Sequence, residues 1–307
     1  MKTALYTHMS SAEHDTGAGH PESIARIEAV NAALAGDSWS ALVRRDAPLA
    51  TKEQLRRVHV GGYVDLVLDN IPEDGYARLD ADTVLSPGTG EAALRAAGAI
   101  IAAVDDVMAG TVDNAFCAVR PPGHHAEPER GMGFCLFNNV AIGAMHARAA
   151  HDLKKVAIVD FDVHHGNGTQ TMFAADADTL FASTHQFPHY PGSGAASETG
   201  VGNLLNAPLD ANTGGAEFRA AMEGTILPAL REFNPEIVFV SAGFDAHARD
   251  PLASLRFEEK DFEWATEKLL EIAGEHAAGR LISTLEGGYD LEALGNSVQA
   301  HAGALTA

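Results

Sequence analysis

One segment constrains the fold of this chain most: a short apolar run that ends in two acids, two histidines and two glycines. Residues 156–159 read Val-Ala-Ile-Val, and residues 160–168 read Asp-Phe-Asp-Val-His-His-Gly-Asn-Gly. A β-branched run before a glycine-rich break is typical of a buried strand that ends in a loop. Because strand side chains alternate between faces, Asp160, Asp162 and His164 can project the same way. Burying these groups together is costly without a cation, so the segment predicts a metal site.

A second apolar run, residues 237–242, breaks at Gly243 and delivers Asp245. Ligands of open α/β sheets lie beyond the carboxyl ends of the strands, where both segments would meet. Asp162, His164 and Asp245 would supply one nitrogen and two oxygen ligands and leave an open position, as in catalytic zinc sites. Fe²⁺ and Co²⁺ also accept such mixed ligands. The alternative, a hydrogen-bonded turn with solvated acids, is less favoured because further segments supply matching chemistry.

Two more runs end in residues suited to proton transfer. His124 and His125 follow an apolar run at residues 115–119 and a Pro-Pro-Gly turn. Adjacent imidazoles suit a proton shuttle, although a structural turn explains such a pair equally well. Residues 281–288 form another run that ends in Gly-Gly, and Tyr289 follows. A phenol beside a polarised carbonyl is a good hydrogen-bond donor to an oxyanion. A lone tyrosine more often has a structural role, with a buried ring and a hydrogen-bonded hydroxyl.

Together these segments resemble the histone deacetylase family, which has the arginase/deacetylase fold, and within it the bacterial class II-like deacetylases and acetylpolyamine amidohydrolases. The matching motifs follow the family's order from about residue 14 to 290: His20-Pro21-Glu22 with Arg26, residues 120–125, 133–138, 160–168, 241–245 and 286–289. The resemblance implies a single α/β domain over residues 1–307, with three α/β/α layers around a central, mostly parallel sheet.

The resemblance also implies a role for each matching residue. The implied zinc ligands are Asp162, His164 and Asp245. His125 would be the general base, and His124 its electrostatic partner oriented by Asp160. Asn167 stands where class I members carry an Asp paired with the second histidine; class II-like members carry Asn there, which changes how His125 is tuned. Tyr289 would bind the developing oxyanion.

Five residues are predicted to contact the substrate. Gly133 and Phe134 would line the tunnel that admits an acylated amine side chain. Tyr190 stands where eukaryotic members usually have a second tunnel Phe, and its hydroxyl can bond a polar or cationic substrate. Leu252 puts no carboxylate where one polyamine-selective branch has an acidic gatekeeper. Asp82 loosely matches a rim carboxylate that grips the substrate backbone.

Family members also hold structural monovalent cations, K⁺ or Na⁺. By resemblance, one site would use Asp160, the backbone of Asp162 and His164, Ser183 and Thr184. A second would use backbone groups of Phe173, Asp176 and Thr179.

The order of apolar runs and helical patterns supports the same fold class. Strands are predicted near residues 3–7, 114–119, 156–162, 179–184, 236–242 and 280–285, and helices over residues 22–35, 90–109, 139–150, 215–232, 258–278 and 290–305. Such alternation favours a parallel sheet with helices on both faces. Three long loops, residues 120–138, 163–178 and 185–215, are predicted to carry the site.

Composition and net charge disfavour some classes of binding partner. The formal net charge of −21 disfavours binding to nucleic acid or to an anionic membrane, and no apolar run reaches the length of a membrane span. An acidic surface suits a cationic amine substrate or product, although many proteins are acidic for no such reason. The only cysteines, Cys117 and Cys135, lie in apolar or site-adjacent contexts, which favours reduced thiols and a cytoplasmic protein. A homo-oligomer is compatible with the sequence, which does not determine the oligomeric state.

Several other residues receive weaker predictions. Five histidines are expected at the surface: His59, His146, His151, His276 and His301. His247 is expected beside the site, and His185 is expected to pack below the metal. Arg26 is expected in the floor beneath the metal, and three residues at the rim: His14, Asp15 and Glu22.

The sequence therefore predicts a zinc-dependent amidohydrolase that removes acetyl groups from amines, first of all from acetyl-lysine of proteins or peptides. Small acetylated amines such as acetylpolyamines are the alternative substrates. A non-catalytic acyl-ligand-binding protein is less favoured because no ligand, base or Tyr is missing. Ureohydrolase chemistry of the arginase kind is less favoured because the ligand pattern suits one catalytic metal.

Overall fold

Eight parallel strands form one sheet, and its carboxyl edge carries the candidate site. The computed structural model describes residues 1–307. The chain has ten strands in all: β1 (Thr3–Thr7), β2 (Val43–Asp46), β3 (Ala77–Arg78), β4 (Val84–Leu85), β5 (Asn114–Cys117), β6 (Val156–Asp160), β7 (Thr179–Gln186), β8 (Leu204–Leu209), β9 (Ile237–Ala242) and β10 (Leu281–Leu285). The sheet order is β2-β1-β5-β10-β9-β6-β7-β8, and β3 and β4 form a separate antiparallel hairpin.

Helices cover both faces of this sheet. They are α1 (Ile24–Ala33), α2 (Lys52–Leu55), α3 (Gly61–Asp69), α4 (Thr89–Met108), α5 (Asn139–His151), α6 (Asn167–Phe173), α7 (Gly215–Ala221), α8 (Leu227–Phe233), α9 (Glu259–His276) and α10 (Leu291–Thr306). Short 3₁₀ turns lie at Met9–Ala12 and Asp37–Trp39, and a π turn at Met222–Ile226 joins α7 to α8. None of the helices has the length and apolar character needed to cross a membrane.

Strand side chains alternate between two apolar cores, which confirms the predicted three layers. Val238 and Val240 of β9 face one core with α1, α7, α8, α9 and α10. Ile237 and Phe239 of the same strand face the other core, with α4 and α5. A strand buried on both faces reads as a continuous apolar run, which is why the central strands were recognisable in the sequence.

Helix α4 packs closely because its residues are small. A Cβ at Gly98 would lie 1.9 Å from the carbonyl oxygen of Pro48, so only glycine allows this approach. The helix ends just before Gly110, whose φ of +67° is the left-handed conformation that glycine favours.

The six predicted strands and six predicted helices are present, within a few residues of their predicted bounds. The fourth predicted helix, 215–232, is divided by the π turn into α7 and α8. Seven further strands and helices were not predicted: β2, β3, β4, β8, α2, α3 and α6. β8 lies inside the region 185–215 that was predicted to be a loop, and α6 lies inside 163–178. β8 is an edge strand that contains Asn206 and Pro208, which an edge position tolerates but a strand pattern does not signal. The others are short: β2, β3 and β4 have two to four residues, α2 has four and α3 has nine.

Candidate active site

The carboxyl ends of three neighbouring strands bring the predicted metal ligands together. β6 pairs with β9, and β9 pairs with β10, all in parallel. The chain leaving β6 carries Asp162 and His164, and the chain leaving β9 carries Asp245. One ligand atom from each of these buried residues lies within 4.8 Å of the others. His164 Nδ1 is 3.1 Å from Asp162 Oδ1 and 3.1 Å from Asp245 Oδ2.

Backbone groups hold the outer oxygens of both carboxylates. Gly287 donates its N–H to Asp162 Oδ2 at 2.8 Å, and Val163 donates its N–H to Asp245 Oδ1 at 2.9 Å. A Cβ at Gly287 would lie 2.0 Å from Asp245 Oδ2, so the glycine lets the next strand approach the carboxylate. The inner oxygens therefore point at one small space.

The electrostatics of this space call for positive charge. Burial opposes protonation of His164, but hydrogen bonds from its ring to Asp162 and Asp245, together with their charges, raise its pKa to about 10. Burial, and then the charge of Asp162, raise the pKa of Asp245. Two buried carboxylates share one imidazole, which is a donor set that suits a divalent cation.

The two adjacent histidines have different partners. His124 Nδ1 lies 2.9 Å from Asp160 Oδ2, whereas His125 Nδ1 lies 2.7 Å from Asn167 Oδ1. Because an amide oxygen only accepts, His125 carries its proton on Nδ1 and leaves Nε2 as a free acceptor. The ring centroids are 4.0 Å apart.

These partners separate the two pKa values. Burial opposes a charge on His124, but the carboxylates of Asp162 and Asp160 outweigh it and raise the pKa of His124 well above its usual value. Burial, and then the charges of His124 and His164, hold the pKa of His125 well below its usual value. The pair therefore offers one cationic and one neutral imidazole, and the neutral one can act as a base.

Tyr289 enters the site from the other side, above Arg26. The guanidinium carbon of Arg26 lies 4.9 Å from the centroid of the Tyr289 ring. Arg26 is buried and donates to the carbonyl oxygens of Gly288 at 2.6 Å and Glu286 at 2.5 Å. Asp250 accepts the backbone N–H of Tyr289 at 2.7 Å. The residue that carries the phenol is thus fixed through its own backbone and through its neighbours.

A pocket of about 180 Å³ leads to these groups. Its lining contains all five predicted substrate contacts and four further residues: Asp82, His125, Gly133, Phe134, His164, His189, Tyr190, Leu252 and Tyr289. The Tyr190 ring stands edge-on to His125 at 5.2 Å between centroids, and the Phe134 ring is 6.0 Å from that of Tyr289. Gly133 has φ +55°, and a Cβ there would lie 2.6 Å from the His125 ring, so a side chain would block the wall.

Two residues of the site carried no predicted role. Glu286 accepts the backbone N–H groups of Gly123 at 2.7 Å and His124 at 3.1 Å, and so holds the loop of the histidine pair. Its position in a quoted motif was a usable signal. His189 lies parallel to the His164 ring, 5.2 Å between centroids, and only its place before Tyr190 pointed to the pocket.

The prediction that His14 and Glu22 lie at the rim is wrong, because both are buried. Glu22 contacts Arg26 at 2.9 Å and Arg120 at 2.6 Å. Burial would raise the pKa of Glu22, but Arg120 and then Arg26 lower it to about 2. Asp15 is the exposed member of the predicted set, and its carboxylate accepts from the hydroxyl of Tyr76.

Three of the histidines predicted at the surface are buried instead: His59, His146 and His301. His301 bonds Thr266 at 2.7 Å and Ser283 at 2.8 Å, and His59 bonds the carbonyl of Glu127 at 3.0 Å. Such partners come from distant elements and leave no local pattern. His151 and His276 are partly exposed.

His185 and His247 are both buried near the site without facing its pocket. His185 bonds Ser183 at 2.9 Å and packs on His165, with ring centroids 4.8 Å apart. His247 lies 3.6 Å from Glu259 at the start of α9.

The residues of the first predicted cation site also lie together. Asp160 is directly opposite Ser183 in the pairing of β6 with β7. The Thr184 hydroxyl is buried without a hydrogen-bond partner. At the second predicted site, the carbonyl groups of Phe173, Asp176 and Thr179 converge on the side chain of Asn203.

The chain is similar to known proteins. The histone deacetylase domain matches residues 20–305. The chain is 40% identical over 300 residues to histone deacetylase 14, chloroplastic, of Arabidopsis thaliana, covering 91% of this chain and 71% of the relative. It is 40% identical over 280 residues to the histone deacetylase-like amidohydrolase of Pseudomonas aeruginosa, covering 89% and 73%.

A probable deacetylase of Archaeoglobus fulgidus is 35% identical over 299 residues, covering 95% of this chain and 82% of the relative. Among solved structures, the HDA15 HD domain superposes with a TM-score of 0.91 at 35% identity, covering 98% of this chain and 90% of that one.

Proposed function

The chain belongs to the histone deacetylase family, and from that membership we propose that it is a zinc-dependent amidohydrolase that deacetylates amines, first of all acetyl-lysine of proteins or peptides. One observation carries the proposal: His125 with a free Nε2, the three-ligand cluster through its member His164, and Tyr289 all reach the same pocket. An amide carbonyl held there would meet a base, an electrophile and an oxyanion donor together.

Asp162, His164 and Asp245 are the residues proposed to hold the metal. Zn²⁺, or Fe²⁺ or Co²⁺ in its place, would polarise the acyl carbonyl and make water a better nucleophile. His125 Nε2 accepts a proton from the attacking water, because its Nδ1 proton is tied to Asn167. His124, kept cationic by Asp160 and Asp162, stabilises the negative charge that develops beside it.

Tyr289 supplies the remaining stabilisation. Its hydroxyl donates to the oxyanion as the carbonyl becomes tetrahedral, and a histidine of the pair protonates the departing amine. Arg26 beneath the ring keeps the pocket floor in place through its bonds to the two carbonyls of the Glu286–Gly288 turn.

The pocket wall supports a linear acylated side chain as substrate. Phe134 and Tyr190 present aromatic edges that suit the methylenes of lysine. Leu252 adds an apolar side chain to the wall, at the position where one polyamine-selective branch has a carboxylate. These features favour acetyl-lysine.

One observation favours small acetylated amines as the second candidate. Asp82 and the hydroxyl of Tyr190 both line the pocket, and Tyr190 is 39% exposed. Both groups accept hydrogen bonds and would bind the second ammonium group of an acetylated polyamine.

A monovalent cation, K⁺ or Na⁺, is part of the proposal at the first site only. The position of Asp160 directly opposite Ser183 in the pairing of β6 with β7 supports it.

The test compares kcat/KM of zinc-loaded protein on an acetyl-lysine peptide and on an N-acetylated polyamine. We expect turnover of both and a preference for the peptide; a preference for the polyamine would select the second candidate. Tyr289→Phe is the control, and losing the oxyanion donor should lower kcat on both substrates by about 10²–10³-fold. Near-wild-type activity of that variant would contradict the mechanism, and no turnover of any acylated amine would contradict the function.

A further inference from the structure

Three backbone carbonyl groups converge on one side-chain nitrogen between α6 and β7. Asn203 Nδ2 lies 2.8 Å from the carbonyl oxygen of Phe173, 3.0 Å from that of Asp176 and 2.8 Å from that of Thr179. Asn203 is buried, with 4% of its surface exposed. Its own carbonyl oxygen accepts the N–H of Phe181 at 3.0 Å, so its backbone is also fixed.

The three carbonyl oxygens have enough donors without a cation. The oxygen of Phe173 also accepts the backbone N–H of Asp176 at 2.9 Å, and that of Asp176 accepts the backbone N–H of Thr179 at 3.1 Å. With the two hydrogens of the Asn203 amide, four donors serve three carbonyl oxygens. Convergence of several carbonyl oxygens on one buried point is the arrangement that proteins use to hold a hard cation. An amide nitrogen, with its partial positive charge, stands at that point in this chain.

The hydrogen-bond network allows only one orientation of the Asn203 amide. Its Oδ1 accepts the backbone N–H of Val201 at 3.2 Å. Rotating the amide by 180° would turn the NH₂ group toward this N–H, and would direct Oδ1 at the three carbonyl oxygens. Since both contacts would then be repulsive, the nitrogen must face the carbonyl groups.

A second cationic group lies beside the carbonyl groups. Arg148 forms an ion pair with the carboxylate of Asp176 and donates to Thr179 Oγ1 at 3.3 Å. The hydroxyl of Thr179 also donates to Asp176 Oδ2 at 2.9 Å. Asp178 Oδ2 also lies 3.7 Å from Arg148, so the guanidinium pairs with both carboxylates of this turn, and a further cation would meet its charge.

We propose that Asn203 takes the place of the second monovalent cation in this chain. The residues predicted to bind that cation do not fit it, because an amide nitrogen already satisfies their carbonyl groups. The turn that joins α6 to β7 is then held to the start of β8 by covalently attached groups, and its stability does not depend on K⁺ or Na⁺. This proposal concerns the fold and stands independently of the substrate and the catalytic metal.

The first experiment replaces the amide with a carboxylate. In Asn203→Asp both side-chain oxygens are acceptors, so the three carbonyl groups lose their side-chain donor and face negative charge. We expect this variant to have a lower melting temperature than the wild type in tetramethylammonium chloride. When K⁺ replaces tetramethylammonium, at about 100 times the Kd of the variant for K⁺, its melting temperature should rise by about 5 °C more than that of the wild type. Measuring the gain relative to the wild type removes any contribution of the first cation site.

Asn206→Asp is the matched control, because it places a new carboxylate on the adjacent strand. Asn206 Nδ2 bonds Gln170 Oε1 at 2.7 Å and the carbonyl of Glu198 at 3.1 Å, away from the three carbonyl groups. This variant should lose stability without gaining cation dependence. Equal cation dependence in both variants would overturn the proposal, since it would reflect added charge alone.

The second experiment locates the cation directly, by anomalous scattering from wild-type crystals soaked in Tl⁺. We expect no peak among the carbonyl oxygens of Phe173, Asp176 and Thr179. A peak there would overturn the proposal. Asn203→Ala serves if Asn203→Asp does not fold, because it opens the same space without adding charge, and a Tl⁺ peak confined to the variant would support the exchange of amide for cation. Absence of the peak from a folded variant would overturn that exchange.

Discussion

Two clusters in this protein contain the same residue types and differ in what they can do. The catalytic cluster, Asp162, His164 and Asp245, lies at the carboxyl edge of the sheet. The helix cluster, Asp105, His146 and His151, lies between α4 and α5. In each, three ligand atoms lie within 4.8 Å of one another.

The difference lies in burial and in the ratio of acid to imidazole. In the helix cluster both histidine Nε2 atoms lie 2.7 Å from one oxygen of Asp105, whose side chain is 54% exposed. Arg57 donates a hydrogen bond to His146 Nδ1 at 2.6 Å, so His146 carries its proton on Nε2. From there it donates a hydrogen bond to Asp105. Every group is satisfied without a metal. In the catalytic cluster two buried carboxylates share one imidazole, so negative charge exceeds positive charge within the cluster.

Asp245→Asn gives the largest expected effect and tests this difference directly. The variant removes a formal charge from the catalytic cluster, so we expect its metal content to fall from about one divalent ion per chain toward zero. Deacetylase activity should fall by more than about 10³-fold, because the metal's electrostatic contribution is worth several kcal/mol. Metal analysis and kcat/KM are the measurements. Asp105→Asn is the matched control and should keep the metal content and the kcat/KM of the wild type. A loss of metal in that variant would contradict the proposed difference between the two clusters.

His301 extends the comparison to a histidine buried without any carboxylate. Burial lowers its pKa to about 3, against about 6.5 in the unfolded chain. Below pH 6.5 the unfolded state takes up a proton that the folded state does not, so stability is lost as the pH falls toward 3. The loss from this residue should be about 2 kcal/mol between pH 6.5 and pH 5.

Urea unfolding of the wild type and of His301→Gln over this range measures the effect. The variant should show a pH dependence weaker by that amount, whereas His276→Gln, at a partly exposed position, should follow the wild type. Identical pH dependence of all three proteins would contradict the assignment to His301.

Asn167→Asp sharpens the contrast within the site, between the imidazole that faces a carboxylate and the one that faces an amide. A carboxylate beside His125 Nδ1 favours the charged ring and raises its pKa, by about one unit or more. Because the base must be neutral, the low-pH limb of kcat/KM should move to higher pH by the same amount, and activity at a given pH on that limb should fall about tenfold per unit. A pH profile that does not move would mean that His125 is not the base.

His151→Ala gives the smallest expected effect. His151 is partly exposed, and Asp105 keeps His146 as a partner, so the free energy of unfolding should change by no more than about 0.5 kcal/mol. Activity and metal content should not change. His146→Ala is the comparison: its side chain is only 6% exposed, and removing it leaves a buried space, so it should cost more. A reversal of this order in chemical denaturation would contradict the burial argument.

Prediction from the sequence worked where one local pattern contained both the structure and the chemistry. The strands β6, β9 and β10 are continuous apolar runs because both faces of the sheet are covered, and each ends within a few residues of a polar group of the site. The approach of Asp162, His164 and Asp245 follows from parallel pairing, in which carboxyl ends meet at one edge.

Prediction failed where a partner is distant in the chain. Glu22 reads as a surface acid, yet Arg120, 98 residues away, buries it. His59, His146 and His301 read as surface residues for the same reason. The edge strand β8 was missed because its sequence lacks a strand pattern and its pairing with β7 alone defines it.

The sequence by itself determined the fold class, the order of the central strands' motifs and the identity of the groups that meet at their ends. Those features are local, since apolar periodicity and glycine breaks are written within short segments. Only the tertiary structure decided which Asp/His cluster has more carboxylates than imidazoles and which of the two adjacent histidines is neutral. It also decided that the Asn203 amide lies among the carbonyl groups of the turn between α6 and β7. Each depends on burial and on the sum of charges from distant segments, because the cost of an unpaired charge is set by its complete surroundings.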